Sequence, residues 1–311
     1  MKKSLHWAQI EEQTVSWGIH FLLRIYVMFG RSVLQVFLYP VVTYYWLTNR
    51  QGRQASQTYL DKVAMFEPSL KVRGNLLWSY RHFISFANAI IDKLAAWSGA
   101  LANTEIEYRG RDSLIAEIRK GKGVILLGSH LGNLEVCRVI ADFDKTLRIN
   151  VLIHTKHAEK FNKVLNQSSS LYLNLIQVSE ITAATSILLS EKIEAGELVI
   201  IAADRTPVSN LQRVSQVTFL GTKALFPQGP FILAALLKCP VYTLFCLKQH
   251  NKHVIYFDHF SDLLSIPRNS REQFMQQIIQ SYAECLQSFC VKEPLQWFNF
   301  FDFWQVTNND G

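Results

Sequence analysis

The stretch "GVILLGSHLGNLEVCR", Gly123 to Arg138, decides the fold. Its apolar run, Val124 to Leu127, carries no charge and stops at the pair Gly128-Ser129. A short apolar run closed by a turn signal reads as a strand buried on both faces. His130, Gly132 and Glu135 follow, and an apolar pattern resumes at Leu134. Asn133 stands where a helix that begins there takes its cap. Strand, tight turn and helix in this order make the opening of an α/β unit.

The same alternation runs outward from there. Short β-branched runs mark strands at Ile106–Tyr108, Val124–Leu127, Ile149–Ile153, Leu175–Val178, Leu198–Ala202, Val217–Phe219, Val241–Leu247 and Val254–Phe257. Helical spacing falls between them at Ser113–Lys120, Leu134–Asp142, Glu159–Leu171, Thr182–Ala195 and Pro230–Leu237, and a long final helix covers Arg271–Cys290. Asp112 reads as an N-cap and Gly121 as a stop. The pattern predicts an α/β fold: a mostly parallel, mixed sheet flanked by helices.

The first hundred residues differ. "SVLQVFLYPVVTYYWLTN", Ser32 to Asn49, is free of charge over 18 residues, with Pro40 inside it and Arg24 and Arg31 just upstream. Tyr39, Tyr44, Tyr45 and Trp46 suit a membrane–water interface. A short spanning helix and a helix pair lying in the interface both fit, and a buried core helix is the plain alternative. In "RQASQTYLDKVAMF", Tyr59, Leu60, Val63 and Phe66 recur at helical spacing, as do the apolar residues of "LLWSYRHFISFANAIIDKLAAW". This divides the chain into a membrane-associated helical region, 1–100, and a catalytic α/β domain, 101–311.

Composition narrows the class. Of 311 residues, 49% are hydrophobic and only 18% charged, which points to a large core, a membrane contact or both. The net charge of +7 suits anionic partners, and no dense basic block interleaved with aromatics suggests nucleic acid. The cysteines, Cys137, Cys239, Cys246, Cys285 and Cys290, form no CxxC pair and sit mostly in apolar runs, as in a reducing compartment. Lys2 and Lys3 are followed by Glu11 and Glu12, with no signal-peptide cleavage site evident.

His130 is placed for chemistry. In open α/β sheets, ligands gather at the carboxyl ends of strands. With a turn at Gly132, Glu135 on the first helical turn can fold back toward the imidazole. A carboxylate on one ring nitrogen fixes the tautomer, and the other nitrogen can then take a proton from a hydroxyl. No nucleophilic serine is needed, because the attacking hydroxyl can belong to a substrate. A structural histidine beside an unrelated surface glutamate is the bland alternative. A second cue is "IIAADRTP", where a strand ends at Asp204-Arg205. Phe219, Gly221, Lys223, Ala224, Pro227 and Gly229 then read as a loop before an apolar helix, whose N–H groups suit an oxyanion or phosphate.

Together these stretches resemble a known family. "GSHLGNLE" matches the histidine–x4–acid motif of the lysophospholipid acyltransferase superfamily, and is most similar to the lipid A lauroyl/myristoyl acyltransferases of bacteria. His130, Gly132, Asn133 and Glu135 keep the key positions, while Leu134 replaces the usual Trp. "AADRTP" with "FLGTKALFPQG" resembles that family's acidic turn and its F-G-x-x-A-x-x-P-x-G loop. The resemblance implies a glycerolphosphate-acyltransferase-like fold on the cytoplasmic face of a bacterial inner membrane. It implies transfer of an acyl chain from an acyl carrier protein or coenzyme A thioester to a hydroxyl of a lipid or glycolipid, without a cofactor or metal. His130 would be the base and Glu135 its orienter. Asn133, Lys156, Asn162, Asp204, Arg205, Gly221 and Lys223 would bind substrate, and the basic charge would favour an acidic carrier protein.

Two departures qualify this. The family places an Arg-Pro turn where this chain reads "VLIHTKHAEKFN", with Lys156 and Asn162 nearest. It closes on a Trp segment and a basic run, where this chain reads "LQWFNFFDFW" with Asp302. A phosphorylated acceptor would lose a cationic clamp there, which resembles the variant found in aryl polyene lipid clusters. Other readings stay open. His154, His157 and Glu159 fit no standard zinc spacing. A thioesterase lacks its G-x-S-x-G serine, although water could replace the acceptor. A non-catalytic lipid-binding scaffold would use His130 and Glu135 only to hold the turn. The Trp297–Trp304 cluster reads as packed core or as the lining of an acyl tunnel.

Overall fold

A computed structural model describes residues 16–97, 106–133, 147–153, 173–177, 182–206, 213–250 and 252–304. In chain order the elements are α1 (Ser16–Thr48), α2 (Arg50–Phe66), α3 (Leu76–Trp97), β1 (Ile106–Arg109), α4 (Arg111–Ile118), β2 (Ile125–Gly128), β3 (Ile149–Ile153), β4 (Leu173–Gln177), α5 (Ala183–Glu194) and β5 (Leu198–Ala202). They continue with β6 (Val214–Phe219), β7 (Thr222–Pro227), α6 (Gly229–Leu237), β8 (Val241–Gln249), β9 (Lys252–Ser261) and α7 (Arg271–Lys292). The helices expected at Leu134–Asp142 and Glu159–Leu171 lie outside the described residues.

The chain forms two compact units that interleave in sequence. One comprises Met1–Ile91, Thr206–Pro227 and Gln276–Gly311, the other Asp92–Arg205 and Gln228–Met275. The second unit holds a seven-stranded sheet of order β1-β9-β8-β2-β5-β3-β4. Every neighbouring pair is parallel except β8 with β9. This is the mixed, mostly parallel sheet flanked by helices that the alternation predicts. β2 is buried along its whole length, as its uninterrupted apolar run requires. Residues two apart share a face, so Leu126, Leu198, Ile200, Tyr242, Leu244, Cys246, Ile255 and Phe257 join Leu114 of α4 in one cluster. The N-cap of α4 is Gly110 rather than the expected Asp112, which falls in the first turn. There its carboxylate still favours the positive end of the helix.

In the first unit the strand expected at Val217–Phe219 is longer, and the expected loop after it is a second strand. β6 and β7 form an antiparallel hairpin, paired from Val214–Pro227 to Phe219–Thr222. Leu220 and Gly221 both have positive φ, 49° and 73°. Two such residues make the tight turn whose twist matches a hairpin. Gly221, Pro227 and Gly229 suggested a loop only because the first marks the turn, the second ends the strand and the third opens α6. Glutamines of α7 extend the hairpin edge: Gln280 Oε1 accepts from Thr218 N–H at 2.8 Å, and Gln287 Oε1 from Leu220 N–H at 2.6 Å.

The closing aromatic segment packs inside this same unit. Trp297 is fully buried against Tyr59, Phe219 and Phe303, with ring centroids 4.8–5.3 Å away. His82, also fully buried, joins this segment to α2 through hydrogen bonds of 3.0 Å to the Trp297 carbonyl and to Ser56 Oγ. Burial pushes the His82 imidazole down to about 3, although the carbonyl bond works the other way. It is therefore a neutral spacer at physiological pH.

Helix α1 breaks at Gly30, where the backbone is not helical, and contains Pro40. Its packed side mixes apolar and polar groups, with Ile25, Leu34, Leu38 and Val42 buried. Gln35 Nε2, Tyr39 Oη and Arg31 Nη2 all donate to Asn88 Oδ1 of α3, at 2.8, 3.3 and 3.4 Å. Thr43 Oγ1 lies 2.9 Å from Tyr80 Oη, and Trp46 Nε1 donates to Ser79 Oγ. The outward side is apolar: Met28, Phe29, Val36, Phe37, Val41 and Tyr44 are all exposed, Val36 and Tyr44 by 69% each. Among the described residues, no helix is long and apolar enough to cross a membrane.

Candidate active site

His130 projects from an interruption in the pairing of β2 with β8. Leu127 stands opposite Thr243, and Gly132 opposite Cys246. The His130 strand thus spends five residue steps, 127 to 132, where β8 spends three, 243 to 246. The two extra residues form an excursion at the carboxyl edge of the sheet. It is closed by Asn133 N–H donating to the Cys246 carbonyl at 2.9 Å, and braced inside by Leu131 N–H donating to Ser129 Oγ at 3.1 Å. Gly132 has φ 69°, and a Cβ there would lie 1.8 Å from the Cys246 carbonyl oxygen. Only glycine lets the chain rejoin β8 so closely.

Strand β5 lies on the other side of β2, in register from Ile125–Val199 to Gly128–Ala202. One more ladder bond, Ala203 N–H to the Gly128 carbonyl at 2.9 Å, carries the alignment past the strand end. It brings Asp204 beside His130. Asp204 Oδ2 accepts from the His130 backbone N–H at 2.9 Å, and Oδ1 is 2.8 Å from His130 Nδ1. The carboxylate therefore fixes both the backbone and the ring of His130. Asp204 is fully buried, whereas about a third of the His130 side chain is exposed, at 34%.

Burial alone would raise the Asp204 pKa. The facing His130 charge and hydrogen bond, Arg205 and the His130 backbone N–H outweigh it and hold the carboxyl down at about 2. An ionised Asp204 only accepts hydrogen bonds, so Nδ1 carries the proton and Nε2 becomes the basic nitrogen of the neutral ring. A ring held in this way can accept a proton at Nε2 from a hydroxyl.

Of the residues singled out in sequence, His130, Asn133, Asp204 and Arg205 gather in the second unit at this edge. The buried Asn133 sits directly after the excursion. Glu135, Lys156, Asn162, His154, His157 and Glu159 lie outside the described residues. Gly221 and Lys223 belong to the hairpin of the first unit, Gly221 at its turn and Lys223 exposed on β7. Asp204, read from sequence as a substrate contact, is a partner of the histidine itself. Its place at the end of a strand was the available signal. Ser129 reads in sequence as part of the Gly-Ser stop, and the structure makes it the internal brace of the excursion.

The family model for bacterial lipid A biosynthesis acyltransferase matches residues 1–305, nearly the whole chain. The chain belongs to that family. No curated protein matches it. A lipid A acyltransferase of this kind moves an acyl group from a donor to a lipid A-like acceptor.

Proposed function

We propose that the chain transfers a fatty acyl group from an acyl carrier protein thioester, or a coenzyme A thioester, to a hydroxyl of a membrane lipid or glycolipid. The observation that carries this is the His130–Asp204 pair. His130 Nε2 takes the proton of the acceptor hydroxyl as its oxygen attacks the thioester carbonyl. The tetrahedral intermediate collapses with loss of the C–S bond, and the imidazolium returns its proton to the departing sulfur. Asp204 holds the ring and offsets its transient charge. Glu135, the acid of the sequence motif, is proposed as a second carboxylate for the same ring. Asn133, Arg205, Lys156, Asn162, Gly221 and Lys223 are proposed to hold substrate.

The acceptor proposed is one without the phosphates of ordinary lipid A, of the aryl polyene lipid kind, because Asp302 stands in the closing segment in place of a basic run. The setting proposed is the cytoplasmic face of an inner membrane, with α1 lying in the interface. Helix α1 buries the apolar row Leu34, Leu38 and Val42 and yet exposes a second one, Met28, Phe29, Val36, Phe37, Val41 and Tyr44, so apolar side chains also line its outward face.

The test is thiol release from acyl carrier protein thioesters by purified protein with membrane lipid extract. Wild type should release thiol coupled to a newly acylated lipid. His130→Ala should lose about 10^2–10^4-fold, with folding and membrane binding retained. Equal release by the variant would remove His130 as the base, and release without a lipid product would point to a hydrolase. A Glu135→Gln variant run beside Asp204→Asn separates the two carboxylates.

A further inference from the structure

The corner between α2 and α3 presents apolar side chains that its own packing does not use. Helix α2 buries Tyr59, Leu60 and Val63. Phe66 recurs at the spacing of that stripe, yet it is 43% exposed, and its neighbour Met65 is 81% exposed. Leu76 and Leu77, which open α3, are exposed by 56% and 60%. Two apolar pairs thus flank one connection, and Lys71 and Arg73 stand exposed between them.

The connection is built rather than loose. Asp61 Oδ1 accepts from Gly74 N–H at 2.8 Å, and Arg73 Nη1 donates to the carbonyls of Leu70 and Val72. Both nearby acids are engaged at home, since Glu67 Oε1 accepts from Ser69 Oγ at 2.5 Å. Neither acid is ion-paired with Lys71 or Arg73. Residues 16–91 carry eight Lys or Arg against two Asp or Glu. The corner also lies near the end of α1, because the Thr43–Tyr80 and Trp46–Ser79 bonds set the start of α3 beside it.

We infer that this corner is a second membrane-docking element, which inserts Met65, Phe66, Leu76 and Leu77 among lipids while Lys71 and Arg73 bind anionic headgroups. The occupant is the surface of an anionic bilayer. Apolar side chains in a region with an excess of cations match acyl chains below a negative headgroup layer. A protein partner for this patch would need its own acidic rim. The inference rests on the membrane docking of α1 proposed above and adds to it a lipid preference located in a different element.

The test is sedimentation of the full chain with vesicles of phosphatidylcholine alone, or with about one third phosphatidylglycerol. Wild type should bind both, and the anionic vesicles more tightly. Lys71→Gln with Arg73→Gln should weaken binding to anionic vesicles about twentyfold and leave neutral vesicles unchanged. Met65→Gln with Leu76→Gln and Leu77→Gln should weaken binding to both roughly tenfold. All three sites are exposed, and circular dichroism would check folding. Ile187→Gln with Leu236→Gln, exposed apolar residues of the second unit, should change nothing. Wild type binding neither vesicle would overturn the membrane reading as a whole. Wild type binding while the corner variants bind equally well would overturn this inference and leave α1 as the anchor. Equal weakening by the Ile187 and Leu236 control would overturn it too.

Discussion

Gly132 and Gly221 have nearly the same backbone conformation, φ 69° and 73°, and each follows a strand in a stretch that resembles a family motif. Their surroundings differ. A Cβ on Gly132 would stand 1.8 Å from the Cys246 carbonyl oxygen, whereas one on Gly221 would meet nothing nearer than Phe66 Cδ2 at 4.0 Å. At the first turn glycine is required by conformation and by contact, at the second by conformation alone. The ties around the turns differ as well. The His130 excursion is held by an ionised carboxylate. The hairpin is held mainly by neutral groups, glutamine amides and rings, with neutral His82 behind Trp297, and Lys62 Nζ adds one charged tie to Thr222 Oγ1 at 2.9 Å. A motif glycine therefore carries very different weight according to what its neighbours do.

The sharpest way to break this comparison is to give both turns the same methyl group. Gly132→Ala should abolish activity and destabilise the second unit by about 3 kcal/mol or more. An active variant with unchanged thermal midpoint would show that the excursion can give way. Next in size, Asp204→Asn should lower turnover about 10^2–10^4-fold with little change in KM. Loss of substrate affinity alone would return Asp204 to the substrate-contact role read from sequence.

Acid then separates the two kinds of tie. The folded pKa of His82, about 3, lies below its unfolded value of 6.5. Its contribution is fully present above pH 6.5 and is lost as pH falls toward 3, so about 2 kcal/mol should go between pH 7 and pH 5. Asp204, held at about 2, keeps its charge over that range. Hydrogen exchange at the two pH values should show the first unit loosening on acidification, and His82→Gln should remove that difference. The smallest effect on stability is Gly221→Ala, about 1 kcal/mol, read as a small drop in thermal midpoint.

Much of the architecture was legible in the residues. The strand that ends near Gly128, the histidine at the carboxyl edge and the mostly parallel sheet follow from an apolar run, a Gly-Ser stop and the alternation of periods. The pairing of His130 with Asp204 was not legible, since it needs β5 to lie beside β2, and strand order is set by packing across 74 residues of chain. Nor was the excursion, which exists only relative to β8. The hairpin was missed because Gly221 marks a tight turn as readily as a loop. Phe66 shows the reverse error: its spacing assigned it to the buried stripe, and the helix ends too soon to bury it.

The excursion that bears His130 also has a place in time. It is bracketed by pairings of Leu127 with Thr243 and Gly132 with Cys246, contacts between residues more than a hundred apart in the chain. Such long closures form late in folding. Until the chain has been synthesised past Cys246, β2 has no edge to depart from and return to. The nascent protein therefore holds its histidine unassembled through most of translation, and the site arises only when the sheet is nearly complete.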